Sequence, residues 1–150
     1  TSLGMSAFHL DAGFTPQYPF GYGLSYTRFD YSDIATSTSR LEIGDTIEVS
    51  ATLCNTGQWE ADEVVQLYVR DLVGNVTRPV RELKGFRRVR LSPGESTRVC
   101  FTLHTDELAF FDQTMNLVTE PGMFHAWIGG DSNADLWTEF EVVATPQQVA

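Results

Sequence analysis

The sequence is poor in basic residues and has no long apolar run. Ten Lys and Arg stand against twenty Asp and Glu, which leaves a formal charge of -10. Such a charge repels a phosphate backbone, so nucleic acid is not an expected partner. Crossing a bilayer as a helix takes roughly 20 consecutive apolar residues, and no stretch approaches that length. Membrane insertion is therefore not predicted.

Cysteine is scarce, and the two present leave one question open. Cys54 and Cys100 each lie in an alternating segment, at a position opposite to the apolar ones, so both are expected to point out of the core. The two could face each other across neighbouring strands. The Cα separation that a disulfide requires cannot be read from sequence. A Cys54–Cys100 disulfide and two free thiols both remain open.

Helical periodicity is missing as well, and a period of two replaces it. Residues 29–144 alternate between apolar and polar, with turn residues about every 8 to 12 positions. We predict an all-β fold, a two-sheet antiparallel sandwich of the immunoglobulin or fibronectin type III kind. Phe101 and Trp127 are the expected centre of its core. The clearest strand segments are 47–54, 64–70, 86–91, 97–103, 124–128 and 136–143.

Local signals predict how some of these strands are joined. Residues 92–95 read Ser-Pro-Gly-Glu, which predicts a hairpin between segments 86–91 and 97–103. Thr105 is expected to cap a single helical turn.

The two ends of the chain lack the alternation. Residues 1–28 have no sustained period and contain several Gly and Pro, which is typical of an ordered linker. The apolar residues there are too numerous for a solvated tether, so we expect them to pack, either on a domain outside this chain or as the beginning of the sandwich core. Residues 145–150 are expected to form a frayed end.

The residues that usually carry chemistry are not arranged for it. Glu139 and Glu141 have a spacing that could flank a sugar, but they alternate with apolar residues as on a solvated strand face. The segment 131–135 resembles half of a calcium loop and is better explained as a polar hairpin tip. The three histidines lie far apart in sequence. We predict no catalytic residue, no cofactor and no metal site within this chain.

Two tryptophans leave a binding function open. Trp59 follows a turn and Trp137 opens the last strand, so neither is an obvious core residue. Exposed indole rings can stack on the apolar face of a pyranose. An independent carbohydrate-binding module using Trp59 and Trp137 is therefore an alternative function.

One segment is distinctive enough to suggest a family. PFGYGLSYT at residues 19–27 resembles the lead-in to the C-terminal fibronectin type III-like domain of family 3 glycoside hydrolases. NTG at 55–57, EVVQLYV at 63–69, RPVRELKGF at 78–86 and LSPGE at 91–95 extend the resemblance in order. The resemblance implies a non-catalytic domain of a larger parent enzyme. That parent would be a retaining β-glucosidase that needs no cofactor and is secreted or periplasmic. A β-xylosidase is the alternative parent. The catalytic carboxylates of such parents lie upstream, so none is assigned here.

The resemblance also implies a partner, the upstream catalytic domains of the same polypeptide. In this interpretation residues 1–28 are the linker and docking strap, 29–144 the sandwich and 145–150 the frayed terminus. An interface with a second protomer through residues 72–86 is a further alternative. The residues expected to dock are Pro19, Phe20, Gly21, Tyr22, Gly23, Leu24, Tyr26, Arg78, Pro79 and Lys84.

Overall fold

A computed structural model describes residues 16–72 and 80–145 of the chain. Those residues form ten strands and a single 3-10 turn at Thr105–Leu108. The strands are β1 (Phe29–Thr36), β2 (Arg40–Glu42), β3 (Thr46–Asn55), β4 (Ala61–Asp71), β5 (Glu82–Leu91), β6 (Ser96–His104), β7 (Phe110–Phe111), β8 (Leu117–Val118), β9 (Gly122–Gly129) and β10 (Trp137–Val143).

Two sheets make up the sandwich. One has the strand order β1-β3-β6 and the other β2-β10-β9-β4-β5, while β7 and β8 form a separate ribbon. The described strands pair antiparallel except for β2 with β10, which run parallel over three residue pairs. The predicted all-β sandwich is confirmed, with that short parallel pair as an exception.

The core lies between the inner faces of the two sheets. Alternate residues of β3 and β4 point into it, because successive side chains on a strand face opposite sides. Phe101 belongs to this core, as predicted. The inward residues of β3 and β4 that are buried are Ile47, Val49, Ala51, Leu53, Val65, Leu67 and Val69.

Trp127 does not belong to the core, and that prediction is wrong. On β9 the core residues are Phe124, Ala126 and Ile128, so Trp127 lies on the opposite, outer face. It is nevertheless buried, because the guanidinium of Arg81 covers its ring at 4.2 Å from the centroid. The burial of Trp127 therefore shows that the outer face of the five-stranded sheet is covered at this position.

The predicted hairpin between β5 and β6 is also wrong. The two strands belong to different sheets, so the turn at residues 92–95 carries the chain across the sandwich. Alternation cannot distinguish the two outcomes, because either path keeps the same side chains facing the core.

Asn55 holds this corner together. Its buried side chain donates to the carbonyls of Trp59 at 2.8 Å and Leu91 at 2.9 Å. The hydroxyl of Thr27 donates to Asn55 Oδ1 at 2.7 Å. One side chain thus links the β3 to β4 corner, the end of β5 and the segment that precedes β1.

The cap of the 3-10 turn is His104, one residue before the predicted Thr105. The His104 ring accepts from the backbone N–H of Asp106 at 3.1 Å, and the Glu107 carboxylate accepts from the N–H of His104 at 2.9 Å. Thr105 is buried inside the turn, where its hydroxyl accepts from the N–H of Gly44.

The two cysteines are free thiols. They lie on the neighbouring strands β3 and β6, but Cys54 is opposite Ser96 and Cys100 is opposite Ser50. An offset of four residues along a strand corresponds to roughly 13 Å, well beyond the Cα separation of a disulfide, about 7 Å at most. The structure therefore contradicts the alternative of a Cys54–Cys100 disulfide.

No helix in the described ranges is long and apolar enough to cross a membrane.

Candidate functional site

Residues 16–28, called the strap below, lie against the outer face of the five-stranded sheet. The backbone N–H of Ser132 donates to the carbonyl of Phe20 at 2.8 Å, and the Tyr68 hydroxyl reaches the same oxygen at 3.3 Å. Gln66 Nε2 donates to the carbonyl of Gly21 at 3.1 Å. Three contacts from β4 and from the β9 to β10 connection thus hold two consecutive strap carbonyls.

Gln66 is the centre of this attachment. Its side chain is only 4% exposed although it points to the outer face of β4. Besides Gly21, it donates to the carbonyl of Gly130 and accepts from the Tyr68 hydroxyl. A buried amide of this kind is stable only when its donors and acceptor are satisfied, and the strap supplies one of the partners.

Gly21 fits where another residue would not. Its φ is +82°, and a Cβ built there would lie 2.0 Å from Gln66 Oε1. Gly23 has no such constraint, since a Cβ at that position meets nothing within 4 Å. Of the two glycines, the described structure requires Gly21.

The apolar side chains of the strap are largely exposed in the domain. Leu24 is 89% and Tyr26 97% exposed, and Phe20 is also exposed. The rings of Tyr18 and Tyr22 stack on each other, with centroids 5.1 Å apart. The strap therefore has an anchored backbone and an uncovered apolar surface, which is the arrangement expected of a contact surface.

A groove of about 600 Å³ lies between the strap and the start of β5. Arg81 lies in its wall, where Nη1 donates to the carbonyls of Ser132 and Ala134, each at 2.8 Å. Burial lowers the pKa of Arg81, and the carboxylates of Asp135 and Asp131 counteract that shift. The lining residues are Phe20, Tyr68, Val80, Arg81, Leu83, Ser132 and Asn133.

A smaller pocket of about 350 Å³ lies on the other side of the strap. In it the Tyr31 hydroxyl donates to the carboxylate of Glu63 at 2.7 Å. Burial raises the pKa of Glu63, the Tyr31 hydrogen bond lowers it and the nearby Asp131 raises it further. Burial also raises the pKa of Tyr31, and Glu63 adds to that shift. The pair is a polar contact between the two sheets beneath the strap.

Of the three remaining predicted docking residues, Lys84 is not on this surface. Arg78 and Pro79 fall outside the described residues. Lys84 is largely buried, pairs with Glu82 at 2.7 Å and lines a small cavity beside Leu108 and Phe124.

Trp59 and Trp137 are exposed, but they do not share a surface patch. Across the sheet, Trp137 of β10 is paired with Trp127 of β9, which is paired with Tyr68 of β4. Trp59 lies just before Ala61, where β4 begins. Seven residues of β4 separate the two positions, which is roughly 23 Å. The pair therefore does not form a single sugar-stacking platform.

The acidic residues on β10 have ordinary surface contacts. Glu139 lies 3.8 Å from the His125 ring and Glu141 lies 3.3 Å from Arg40. Across residues 16–72 and 80–145 no group of three or more His, Cys, Asp or Glu side chains is arranged to hold a metal ion. Gln66 and Arg81 are the site residues that sequence reasoning missed, because the contacts that define their roles join segments far apart in the sequence.

Comparison with known proteins connects this geometry to a family. The fibronectin type III-like domain family matches residues 63–132. A putative β-xylosidase of Formosa agariphila is 46% identical over 85% of the chain and 17% of its own length. A periplasmic β-glucosidase of Salmonella typhimurium is 38% identical over 90% of the chain and 18% of its own length.

Solved structures give the same result. The β-glucosidase of Listeria innocua in complex with isofagomine superimposes with a TM-score of 0.84 and 33% identity, over 93% of this chain and 19% of that one. The chain thus spans less than a fifth of the length of these proteins. Residues 63–132 thus form a fibronectin type III-like domain, and the chain resembles the corresponding part of these β-glucosidases and β-xylosidases.

Proposed function

We propose that this domain docks through its strap on the preceding catalytic domains of a retaining β-glucosidase and stabilises them. The observation that carries the proposal is the division of the strap into an anchored backbone and exposed side chains. Leu24 and Tyr26 are almost fully exposed in the domain, while Gln66 and Ser132 hold the backbone of the same strap. Burying such area against a second domain is favourable by about 25 cal/mol per Å².

The relatives support the choice of parent. Each matches the chain over only a small part of its own length, so the rest of those proteins has no counterpart here. Their names include a periplasmic β-glucosidase and a β-xylosidase, and we propose a β-glucosidase in the periplasm or outside the cell as the parent. Its reaction would be hydrolysis of terminal β-glucosyl residues through a covalent glycosyl intermediate, carried out by carboxylates outside this chain.

Hydrolysis assays test the division of labour. The 150-residue chain is expected to release no aryl alcohol from an aryl β-glucoside or an aryl β-xyloside. The parent polypeptide, with its preceding domains, is expected to hydrolyse the glucoside faster. Faster hydrolysis of the xyloside would replace β-glucosidase by β-xylosidase as the parent. Hydrolysis by the 150 residues alone would overturn the non-catalytic assignment.

A further inference from the structure

Arg81 carries a positive charge that no described carboxylate neutralises by contact. The two oxygens that Nη1 meets are the neutral carbonyls of Ser132 and Ala134. The central carbon of the guanidinium lies over the ring of Trp127, 4.2 Å from its centroid. Asp131 and Asp135 act on this charge only through space, without a hydrogen bond. Within residues 16–72 and 80–145, Arg81 therefore has no ion-pair partner.

These contacts fix the guanidinium while leaving donors available. Nη1 is occupied by the two carbonyls, whereas the N–H groups on Nε and Nη2 make no hydrogen bond to the described residues. The ring of Trp127 and the two carbonyls prevent rotation of the group. A guanidinium that is held in place loses little further entropy when it binds an anion, and its fork geometry matches a carboxylate.

The surroundings of Arg81 select an anion with an apolar portion. Phe20, Val80 and Leu83 supply apolar walls to the same groove. Six of the ten basic residues of the chain lie between positions 78 and 90, and Glu82 is the one acidic residue among them. Among the described residues of this stretch, Arg81 is the cation that lines the groove, and its charge attracts a group of the opposite sign there.

We propose that this groove receives a carboxylate on an apolar arm, an acidic side chain supplied by the preceding domains of the same polypeptide. The inference rests on the proposed docking and adds to it the chemistry of the partner surface. The ion pair with Arg81 would fix how the two domains are aligned, in addition to the apolar contacts of the strap.

A small probe tests the groove directly. Phenylacetate combines a carboxylate with an aromatic arm, and phenylacetamide is its neutral counterpart. In NMR titrations of the 150-residue chain, phenylacetate is expected to shift the signals of the Arg81 Nε–H and the Trp127 indole N–H. Phenylacetamide should bind at least about fivefold more weakly, since it lacks the charge that pairs with a guanidinium. Equal binding of the two probes, or binding of neither, would overturn the proposal.

Variants locate the effect at Arg81. Arg81→Gln should remove the preference for phenylacetate, and Arg81→Lys should keep a weaker preference because it retains the charge. Arg90→Gln is the matched control, since Arg90 is exposed and already bonded to Asp62 at 2.7 Å. If Arg81→Gln does not fold, the comparison of the two probes on the unaltered chain still decides the question.

The identity of the occupant is tested with the parent polypeptide. If its own side chain fills the groove, phenylacetate should bind the 150-residue chain but not the parent. Binding to both would mean that the groove is a site for a free acid, which contradicts the inference. Failure of the docking itself has a different signature, namely a parent whose thermal stability does not depend on the strap.

Discussion

Gly21 is the strap residue for which the sandwich leaves the least room. An alanine at this position would combine a positive φ with a methyl group placed on Gln66 Oε1. We expect Gly21→Ala to weaken attachment of the strap by about 1–3 kcal/mol, because both the backbone strain and the clash are relieved only by moving it. Chymotrypsin cleavage at the aromatic residues of the strap should accelerate accordingly in the 150-residue chain.

Gly23→Ala is the control for this substitution. It adds the same methyl group two residues away, where nothing lies within 4 Å and the φ is not in the left-handed region. Its cleavage rate should match that of the unaltered chain. Equal acceleration by both variants would show that the contact with Gln66 does not hold the strap.

Glu63 makes the stability of the domain depend on pH. Its pKa is raised by burial, so the folded chain binds this proton more tightly than the unfolded chain. The associated stability is present below the unfolded pKa of the carboxyl and is lost as the pH rises through the folded pKa. Glu63→Gln removes the charge but keeps an acceptor for Tyr31. The free energy of unfolding of this variant, relative to that of the unaltered chain, should therefore increase as the pH rises.

Urea unfolding between about pH 4 and about pH 8 measures this trend. Glu48→Gln, at an exposed position of β3, is the control for removing a carboxylate that the fold does not bury. A difference between Glu63→Gln and the unaltered chain that stays constant across the range would contradict the account.

At the scale of elements, Asn55 decides how the two sheets are connected. Removing its side chain leaves the buried carbonyl of Leu91 and the carbonyl of Trp59 without their donor. Asn55→Ala should therefore lower the free energy of unfolding by about 2–4 kcal/mol. Urea unfolding is the measurement, and Asn133→Ala at the exposed hairpin tip should change the value by less than about 0.5 kcal/mol. A loss at Asn55 no larger than at Asn133 would contradict this role.

The register of β3 with β6 makes a second prediction at this scale. Because Cys54 and Cys100 are offset by four residues along the ladder, the purified protein should contain two titratable thiols. Unfolding the chain in denaturant without reductant and titrating with a chromogenic disulfide reagent counts them. Finding none in a protein of monomeric mass would require a different register.

The strands themselves could be predicted from sequence because period two and turn residues are local signals. Their assignment to sheets could not, as the turn at residues 92–95 shows, since its local chemistry suits a hairpin and a corner equally. The outer position of Trp127 could not be predicted, because Arg81 buries its ring and that contact joins residues distant in sequence. The short strands β2 and β8 carry too few residues to show a period.

The candidate site was predicted only in part, for a related reason. The exposed aromatic residues of the strap could be identified from their number in a segment without periodicity. Gln66 could not be assigned a role, because on its own it reads as the polar position of an alternating strand. Its function depends on a strap 45 residues away in sequence.

On the scale of the whole molecule, the last residues of the strap lie at one end of the sandwich. The ribbon of β7 and β8 follows the 3-10 turn at the opposite end. Thr27 at the end of the strap binds Asn55 at the last residue of β3, whereas Thr119 after the ribbon binds Thr105 beyond the end of β6. This separation supplies a matched pair of exposed leucines, Leu24 in the strap and Leu117 in the ribbon.

The most direct test of the account is the thermal unfolding of the parent polypeptide carrying Leu24→Ser or Leu117→Ser. Leu24 is 89% and Leu117 63% exposed in the domain, so neither substitution should affect the isolated 150 residues appreciably. In the parent, Leu24→Ser should lower the melting temperature by several degrees, because it removes about 1–3 kcal/mol of burial at the docking surface, and Leu117→Ser should leave it unchanged. Equal melting temperatures for the two variants and the unaltered parent would contradict docking through the strap.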